Sequence, residues 1–207
     1  RYIRNLPTMI YSYQTIAKAV EDVTFREKGS KFISYAYPVL DEDEVKERLD
    51  ALWSRYPDAT HICYAYRLGL EGENYRANDD GEPSGSAGLP IYNQIVSKEV
   101  TFVLVASVRY YGGTKLGVSG LIKAYKLSAQ LALDEAKIVE KHLTKKVNFE
   151  FSYEDQGSVM RNVDRFNAEV IDTEFTDKCK LSVRIRMEIL DEFLASFEPL
   201  YNVKIDH

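Results

Sequence analysis

The pattern of hydrophobic and polar positions predicts a chain of mixed strands and helices. Alternating or β-branched runs predict strands over residues 15–20, 23–28, 31–39, 60–68 and 100–111. Helical spacing of apolar residues predicts three helices in the same part of the chain, one after Asp41, one over residues 89–96 and one from Ser119 to about Ala136. The first three strands follow one another without a helix between them, so we expect a meander.

Local signals place the ends of these elements. Asp41 is a residue type that caps helices and Pro57 cannot continue one, so the first helix lies between them. Residues 76–88, RANDDGEPSGSAG, are rich in turn formers and predict a loop. Alternation over residues 60–68 places four side chains on one face of that strand: His61, Cys63, Ala65 and Arg67.

After Thr144 the predicted elements follow the order strand, helix, strand, strand, helix, strand. They cover residues 145–152, 154–167, 169–175, 180–188, 191–200 and 203–205. This is the order of a ferredoxin-like βαββαβ unit. We therefore predict an α+β protein with two domains, residues 9–144 and residues 145–207. Met9 is typical of a natural start, so we interpret residues 1–8 as an addition ahead of it.

The composition is that of an ordinary globular protein, with 207 residues, 45% of them hydrophobic, and a net charge of −5. A net negative protein lacks the broad positive field of a strong nucleic-acid binder, so any such binding must come from a local patch. Cys63 and Cys179 lie far apart and outside any CxxC pair, which argues against a disulfide framework or a zinc site. The sequence has neither an apolar run of membrane-spanning length nor a secretory signal pattern, so we expect a cytoplasmic protein without a membrane partner.

The most informative segment is the strand over residues 100–111, which ends at a twin glycine before a helix. No Asp or Glu occurs between Val100 and Leu133, so this segment is locally cationic. Cationic side chains and the N–H groups of a helix start attract phosphate. The candidate anion-binding residues are Arg109, Gly112, Gly113, Lys115, Lys123 and Lys126. The alternative is that the glycines only permit tight turning and close packing of the helix.

The acidic loop that precedes this segment supplies candidate rim residues. They are Asp79, Asp80, Glu82 and Ser84, together with Arg67 from the strand before the loop. Asp and Gly are turn formers, which explains part of this composition. Alternatively, the carboxylates hold Arg67, Arg76 or Arg109 in place, or bind one hard metal ion.

Motifs of well-known enzymes do not match the sequence. Val118 stands where the lysine of a phosphate-binding P-loop is required, and the adjacent Gly112 and Gly113 do not form a GxGxxG pattern. The acidic residues near Asp80 do not alternate as in an EF-hand. Ser84 lies outside any GxSxG elbow. We therefore predict no catalytic residue, no metal site and no cofactor.

Four blocks of sequence, in this order, resemble the YigZ/IMPACT family. They are KGSKFI (28–33), ATHICYAYR (59–67), DDGEPSGSAG (79–88) and RYYGGTKLG (109–117). The resemblance implies an N-terminal two-layer α/β sandwich, like the fourth domain of elongation factor G and the GHMP kinases, followed by a ferredoxin-like domain. It also implies a link to translation, because the eukaryotic relative IMPACT competes for the activator of the kinase that responds to uncharged tRNA.

The leading hypothesis is a translation-associated regulatory protein without catalytic activity, whose cationic segment binds RNA, the ribosome or a translation-regulating protein. A second hypothesis is an enzyme acting on a small phosphorylated or nucleotide substrate, in a cleft between the 79–88 loop and the glycine loop. A third is an adaptor that docks a partner on the sheet of its second domain.

Overall fold

A computed structural model describes residues 9–207 and has an α+β architecture. Residues 1–8, which we interpreted as an addition ahead of a natural start, lie outside the described residues. The described chain divides into two compact units. One is Tyr13–Lys141, and the other is His142–His207 together with residues 9–12.

Between residues 12 and 142 the chain forms seven strands and three helices. The strands are β1 (Ser12–Ile16), β2 (Val20–Glu27), β3 (Ser30–Pro38), β4 (His61–Leu68), β5 (Asn74–Asn78), β6 (Val103–Tyr110) and β7 (Ile138–His142). The helices are α1 (Glu42–Arg55), α2 (Gly88–Ser97) and α3 (Gly117–Glu135). Five strands form one sheet in the order β2-β3-β6-β4-β5, while β1 and β7 pair with each other.

Strand β6 is the centre of the five-stranded sheet, as its continuous apolar sequence predicts. One face of the sheet packs against α2 and α3, through residues such as Cys63 of β4 and Ala129 of α3. The other face packs against α1, through residues such as Ile62 of β4 and Leu52 of α1. Successive residues of β4 therefore point to opposite sides, and His61 lies on the side of α2 and α3.

The structure corrects the predicted meander and adds two strands. Strands β2 and β3 form a hairpin, but β1 pairs with β7 in a separate two-stranded sheet. Neither β5 nor β7 was predicted, and β5 occupies part of the expected loop over residues 76–88. Both strands consist mainly of exposed residues, so they lack the alternation of buried and exposed positions that identifies a strand.

Helix α1 begins as predicted. The Asp41 carboxylate accepts a hydrogen bond from the Glu44 N–H at 2.9 Å, and the helix ends at Arg55, two residues before Pro57. Helices α2 and α3 have no side chain at their own N-cap that accepts such a bond. Their first N–H groups therefore depend on acceptors from elsewhere.

The second unit contains the remaining elements. They are β8 (Thr144–Phe151), α4 (Gln156–Arg165), β9 (Glu169–Phe175), β10 (Cys179–Arg186), a 3₁₀ turn (Met187–Ile189), α5 (Leu190–Ala195) and β11 (Lys204–Asp206). The antiparallel sheet has the order β11-β8-β10-β9, so the elements follow the expected βαββαβ order. Its core is formed by inward residues such as Phe149, Val183 and Phe193. Over residues 9–207, no helix is both long and apolar enough to cross a membrane.

Candidate anion-binding site

The loop that leads into α2 is organised by one carboxylate. Asp79 accepts hydrogen bonds from the N–H groups of Gly85 at 2.8 Å, Ala87 at 3.0 Å and Gly88 at 2.8 Å. Ala87 occupies the N-cap position of α2 and has no side chain able to cap it. Asp79 therefore supplies the cap from a distance, and its carboxylate is already occupied by the loop.

Asp80 ties the loop to β4 and orients His61. Its carboxylate accepts a hydrogen bond from the Ile62 N–H at 2.7 Å, and its backbone carbonyl lies 2.7 Å from His61 Nδ1. A carbonyl oxygen only accepts hydrogen bonds, so Nδ1 carries the hydrogen. In the neutral ring Nε2 is then an acceptor, and it lies 3.9 Å from Glu82 Oε2.

Glu82 and Arg109 form a buried ion pair. The Arg109 Nη1 donates to Glu82 Oε1, and the side chains of the two residues are only 6% and 4% exposed. Tyr125 of α3 donates its hydroxyl hydrogen to the same oxygen at 2.7 Å. The guanidinium also lies 5.7 Å from the ring centroids of Phe32 and Tyr111.

This geometry corrects the role predicted for Arg109. We expected its guanidinium to face solvent and bind phosphate, because no acidic residue lies near it in sequence. The acidic partner instead comes from the loop containing Glu82, 27 positions earlier in the chain, which agrees with the alternative that a carboxylate of this loop holds Arg109 in place. Arg109 is therefore neutralised and buried, and Glu82 is its partner in the core rather than an exposed rim residue.

The buried groups beside this ion pair are not poised for nucleophilic chemistry. Burial raises the pKa of the Cys63 thiol, and the nearby carboxylates of Glu82, Asp80 and Asp79 raise it further. Burial also raises the pKa of the Tyr125 hydroxyl. Both groups therefore keep their protons at neutral pH, and a thiol is a much weaker nucleophile than a thiolate.

The two glycines of the loop after β6 have different roles. A Cβ on Gly112 would lie 1.9 Å from the carbonyl carbon of Gly29, so the glycine loop packs backbone to backbone on the β2–β3 turn. The Gly112 N–H donates to Ser30 Oγ at 3.3 Å, so it does not point outward to an anion as predicted. Gly113 has a φ of +86° and open space around it.

The structure places Lys115, Lys123 and Lys126 on the exposed surface around the start of α3. No described residue forms an ion pair with any of these three lysines. Lys123 and Lys126 are three positions apart on the helix and so lie on the same side of it.

Two of these lysines, Lys115 and Lys123, line cavities near the start of α3, whereas Lys126 lines neither. Lys123 lines a cavity of 310 Å³ together with Lys28, while Lys115 lines a cavity of 480 Å³ together with His61. Leu116 lines both cavities, so both lie next to the start of α3. Among the described residues, Glu27 is the one acidic residue in the lining of the Lys123 cavity. We call Lys28, Lys115, Lys123 and Lys126 the lysine surface.

Lys28 is the residue of this surface that sequence reasoning missed. It lies in the two-residue turn of the β2–β3 hairpin, where Lys28 and Gly29 have φ values of 46° and 82°. The sequence signal was the Lys-Gly pair between two strands, which is a hairpin turn signal. What the sequence does not reveal is that this turn lies beside the glycine loop.

The larger cavity, which we call the His61 cavity, is lined by Pro83 of the 79–88 loop and by Tyr111 and Lys115 of the glycine loop. Its volume is 480 Å³, within the usual range of small-molecule sites. The lining combines apolar and polar side chains: Thr60, His61, Pro83, Arg109, Tyr111, Lys115, Leu116, Gly117, Val118 and Leu121.

None of the five predicted rim residues lines this cavity: Arg67, Asp79, Asp80, Glu82 and Ser84. Arg67 lies six positions from His61 along β4, which corresponds to about 20 Å. Its guanidinium donates to the carbonyl oxygens of Val100 at 2.9 Å and Glu71 at 2.6 Å, so it braces the far end of the sheet. Ser84 is exposed on the loop.

The acidic loop supplies three carboxylates of the kind that bind a hard metal ion. They are used within the fold: Asp79 by the loop, Asp80 by Ile62 and Glu82 by Arg109. Over residues 9–207, no group of three or more His, Cys, Asp or Glu residues is arranged to hold a metal ion.

Comparisons with known proteins identify relatives over nearly the whole chain. The sequence model of the Impact N-terminal domain matches residues 28–133. The chain is 29% identical to the IMPACT family member YvyE of Bacillus subtilis, over 96% of this chain and 91% of that protein. It is 27% identical to the IMPACT family member YigZ of Escherichia coli, over 81% of this chain and 83% of that protein.

A solved structure also resembles this one over almost its full length. It is a crystal structure of a protein described only as hypothetical, which is 26% identical to this chain. The match covers 95% of this chain and 97% of the other, with a TM-score of 0.69. The fold described above therefore has an experimental counterpart.

Proposed function

Because the chain belongs to the IMPACT family, we propose that it is a translation-associated regulatory protein that binds RNA phosphates through the lysine surface. The resemblance to IMPACT, a regulator of translation in eukaryotes, supports the regulatory role. Its physiological partner is then RNA, the ribosome or a translation-regulating protein, and its location is the cytoplasm. The protein acts by binding and needs no catalytic activity.

The observation that carries this proposal is the lack of acidic partners for the exposed lysines. Some lysines elsewhere in the structure do form ion pairs, as the half-buried Lys98 does with Asp134 at 2.6 Å and the exposed Lys178 with Glu150 at 2.7 Å. Lys115 and Lys123 form none with a described residue. Unpaired ammonium groups in a net negative protein create a local positive potential, which attracts phosphate.

The start of α3 adds to this potential. Its first N–H groups have no partner within the helix, and Leu116 at the N-cap cannot accept a hydrogen bond through its side chain. The helix is 19 residues long and its positive end lies at Gly117, which lines the same cavity as Lys115. The segment therefore offers phosphate both ammonium groups and free N–H groups.

The test measures RNA affinity at several salt concentrations for the double variant Lys115→Glu, Lys123→Glu. We expect weaker binding for all RNA sequences, and a slope of log affinity against log salt that is flatter by about one per lost phosphate contact. The matched control is Lys46→Glu, Lys137→Glu, which makes the same change of net charge at exposed positions outside the lysine surface. Equal affinities and slopes for the two double variants would overturn the proposal.

A further inference from the structure

We propose that the His61 cavity binds a nucleoside monophosphate whose base carries an exocyclic amino group, as in adenosine or cytidine monophosphate. This inference rests on the proposed function in one respect, because Lys115 would contact the RNA phosphate in the proposed function and the nucleotide phosphate here. It goes further by naming a base-binding site. The ligand is either a free nucleotide or one unstacked nucleotide of an RNA chain.

The lining of the cavity suits a flat ligand that is apolar on its faces and polar at its edges. Tyr111 contributes a ring that is 47% exposed, and Val118 contributes an aliphatic side chain that is 54% exposed. Leu116, Leu121 and Pro83 extend this apolar surface. Every nucleobase has flat faces that can stack on an aromatic ring, whichever base it is. An exposed tyrosine at a cavity wall is therefore a stacking platform.

The charges of the lining call for one anionic group on the ligand. Arg109 is already compensated by Glu82, so it adds no net charge. Lys115 has no ion pair with a described residue and leaves the lining net positive. Gly117 and Val118, at the start of α3, also line the cavity, and their N–H groups have no partner within the helix. These groups are suited to a phosphate.

A buried donor in the wall supplies an independent sign of a polar ligand. Arg109 lines the cavity and is only 5% exposed. Its Nε–H has no hydrogen-bond partner among the described residues. Buried donors in folded proteins are nearly always satisfied, so one that is not calls for a partner.

The preference for an amino base follows from His61. Its Nδ1 donates to the Asp80 carbonyl, so Nε2 is left as an acceptor in the neutral ring. Glu82 Oε2 lies 3.9 Å away from this nitrogen, which is too far for a direct hydrogen bond. Because His61 lines the cavity and Glu82 does not, the Nε2 acceptor of the neutral ring favours a ligand group with an N–H bond. An exocyclic amino group is such a donor, whereas a purine without that group has no N–H bond once its N9 carries the ribose.

The experiment measures the binding of adenosine monophosphate to the full chain by titration calorimetry, with purine riboside 5′-monophosphate and ribose 5-phosphate as comparisons. We expect purine riboside 5′-monophosphate to bind about 3- to 10-fold more weakly, because it lacks the amino group and has no other N–H on its base. Ribose 5-phosphate should bind more weakly still, because it has no base. No measurable binding of adenosine monophosphate, or equal binding of the three compounds, would overturn the inference.

Variants then locate the ligand. Tyr111→Ala should weaken the binding of adenosine monophosphate by about 5- to 150-fold, because base stacking on the ring is lost. The matched control is Tyr201→Ala, which removes a ring that is 94% exposed and lies outside the cavity. Thermal unfolding of both variants verifies that they remain folded. Equal affinities of the two variants would contradict the proposed stacking.

A final comparison separates the two sources of the nucleotide and the two proposals. Tighter binding of a short single-stranded oligoadenylate than of the mononucleotide, lost in Tyr111→Ala, indicates a nucleotide of RNA. Tighter binding of the mononucleotide indicates a free ligand. If RNA binding depends on Lys123 but no mononucleotide binds, the base site is wrong and the lysine surface stands. If the mononucleotide binds but the salt slope for RNA does not respond to Lys123→Glu, the lysine surface is wrong.

Discussion

The Glu82 carboxylate and the Arg109 guanidinium are joined in a buried ion pair although they lie 27 positions apart in sequence. The pair links the acidic loop to the end of β6, and the Tyr125 hydroxyl extends the link to α3. The loop, the central strand and the longest helix therefore meet at one carboxylate. The charge of Arg109 stabilises this junction instead of facing solvent.

Replacement of Glu82 by Gln should destabilise the protein strongly, because the Arg109 charge would remain buried without compensation. Loss of one partner of a buried pair typically costs about 3–5 kcal/mol in the free energy of unfolding. Urea denaturation of the variant and the parent measures this difference. The control is Glu27→Gln, which changes an exposed glutamate and should alter stability by less than about 0.5 kcal/mol. Similar costs for both variants would show that the pair is not buried as described.

Asp22 should make stability depend on pH in the acid range. Its pKa is lowered, first by the hydrogen bond from the Tyr35 hydroxyl and then by Arg55 and Tyr56. A carboxylate with a lowered folded-state pKa stabilises the fold above its ordinary pKa of about 3.9, and this contribution is lost as pH falls through the folded-state value. Asn accepts the left-handed φ of 61° at this position.

We therefore expect Asp22→Asn to be less stable than the parent by about 1 kcal/mol at neutral pH, with the difference vanishing in strong acid. Denaturation curves recorded across this pH range measure the effect. Asp50→Asn, at an exposed position of α1, serves as the control and should show no such convergence. A difference that grows on acidification would contradict the assigned direction of the pKa shift.

Gly112→Ala should destabilise the protein by about 1–3 kcal/mol, because its Cβ would meet the backbone of Gly29. The backbone of the β2–β3 turn cannot move away from this Cβ without disturbing the hairpin. Gly157→Ala is the control, since a Cβ at this position of α4 meets no atom within 4 Å. That change should leave stability unchanged or raise it by up to about 1 kcal/mol. Thermal unfolding measures both, and an equal effect of the two would contradict the close approach.

Cys63 should not react with a thiol reagent in the folded protein at mildly alkaline pH. Its side chain is fully buried and its pKa is raised, so the reagent cannot reach the sulfur and the sulfur is not present as the reactive thiolate. Cys179 is also fully buried, so folded protein should show almost no reaction. In concentrated urea both cysteines should react, which provides the internal control. Rapid modification of Cys63 in the folded state would contradict its burial.

Sequence patterns predicted the elements that carry strong periodicity. The apolar run of β6 and the spacing of Val45, Leu49 and Leu52 in α1 are local signals, and the structure confirms both elements. The exposed edge strand β5 carries no such signal and was missed. The spacing of apolar residues indicates an element because one of its faces is buried. An element with hardly any buried face has no such spacing and cannot be predicted from it.

The candidate site shows where local reasoning stops. The absence of acidic residues around Arg109 in sequence indicated a free cation, but Glu82 reaches it from a distant loop. The N–H of Gly112 was expected to face an anion, but Ser30 of the neighbouring hairpin accepts its hydrogen. Both errors have one cause, because the partner lies far away in sequence. The exposed lysines were easier to anticipate, since exposure needs no specific partner.

The cap that Asp79 provides to α2 restricts how the loop between them can change length. One carboxylate receives N–H groups from Gly85, Ala87 and Gly88, so the spacing between Asp79 and the helix is set by hydrogen-bond geometry. An insertion or deletion there would leave the helix start without its acceptor. Relatives that keep this helix start should therefore tolerate length variation at the β4–β5 turn, which lies elsewhere, far more readily than between positions 79 and 88.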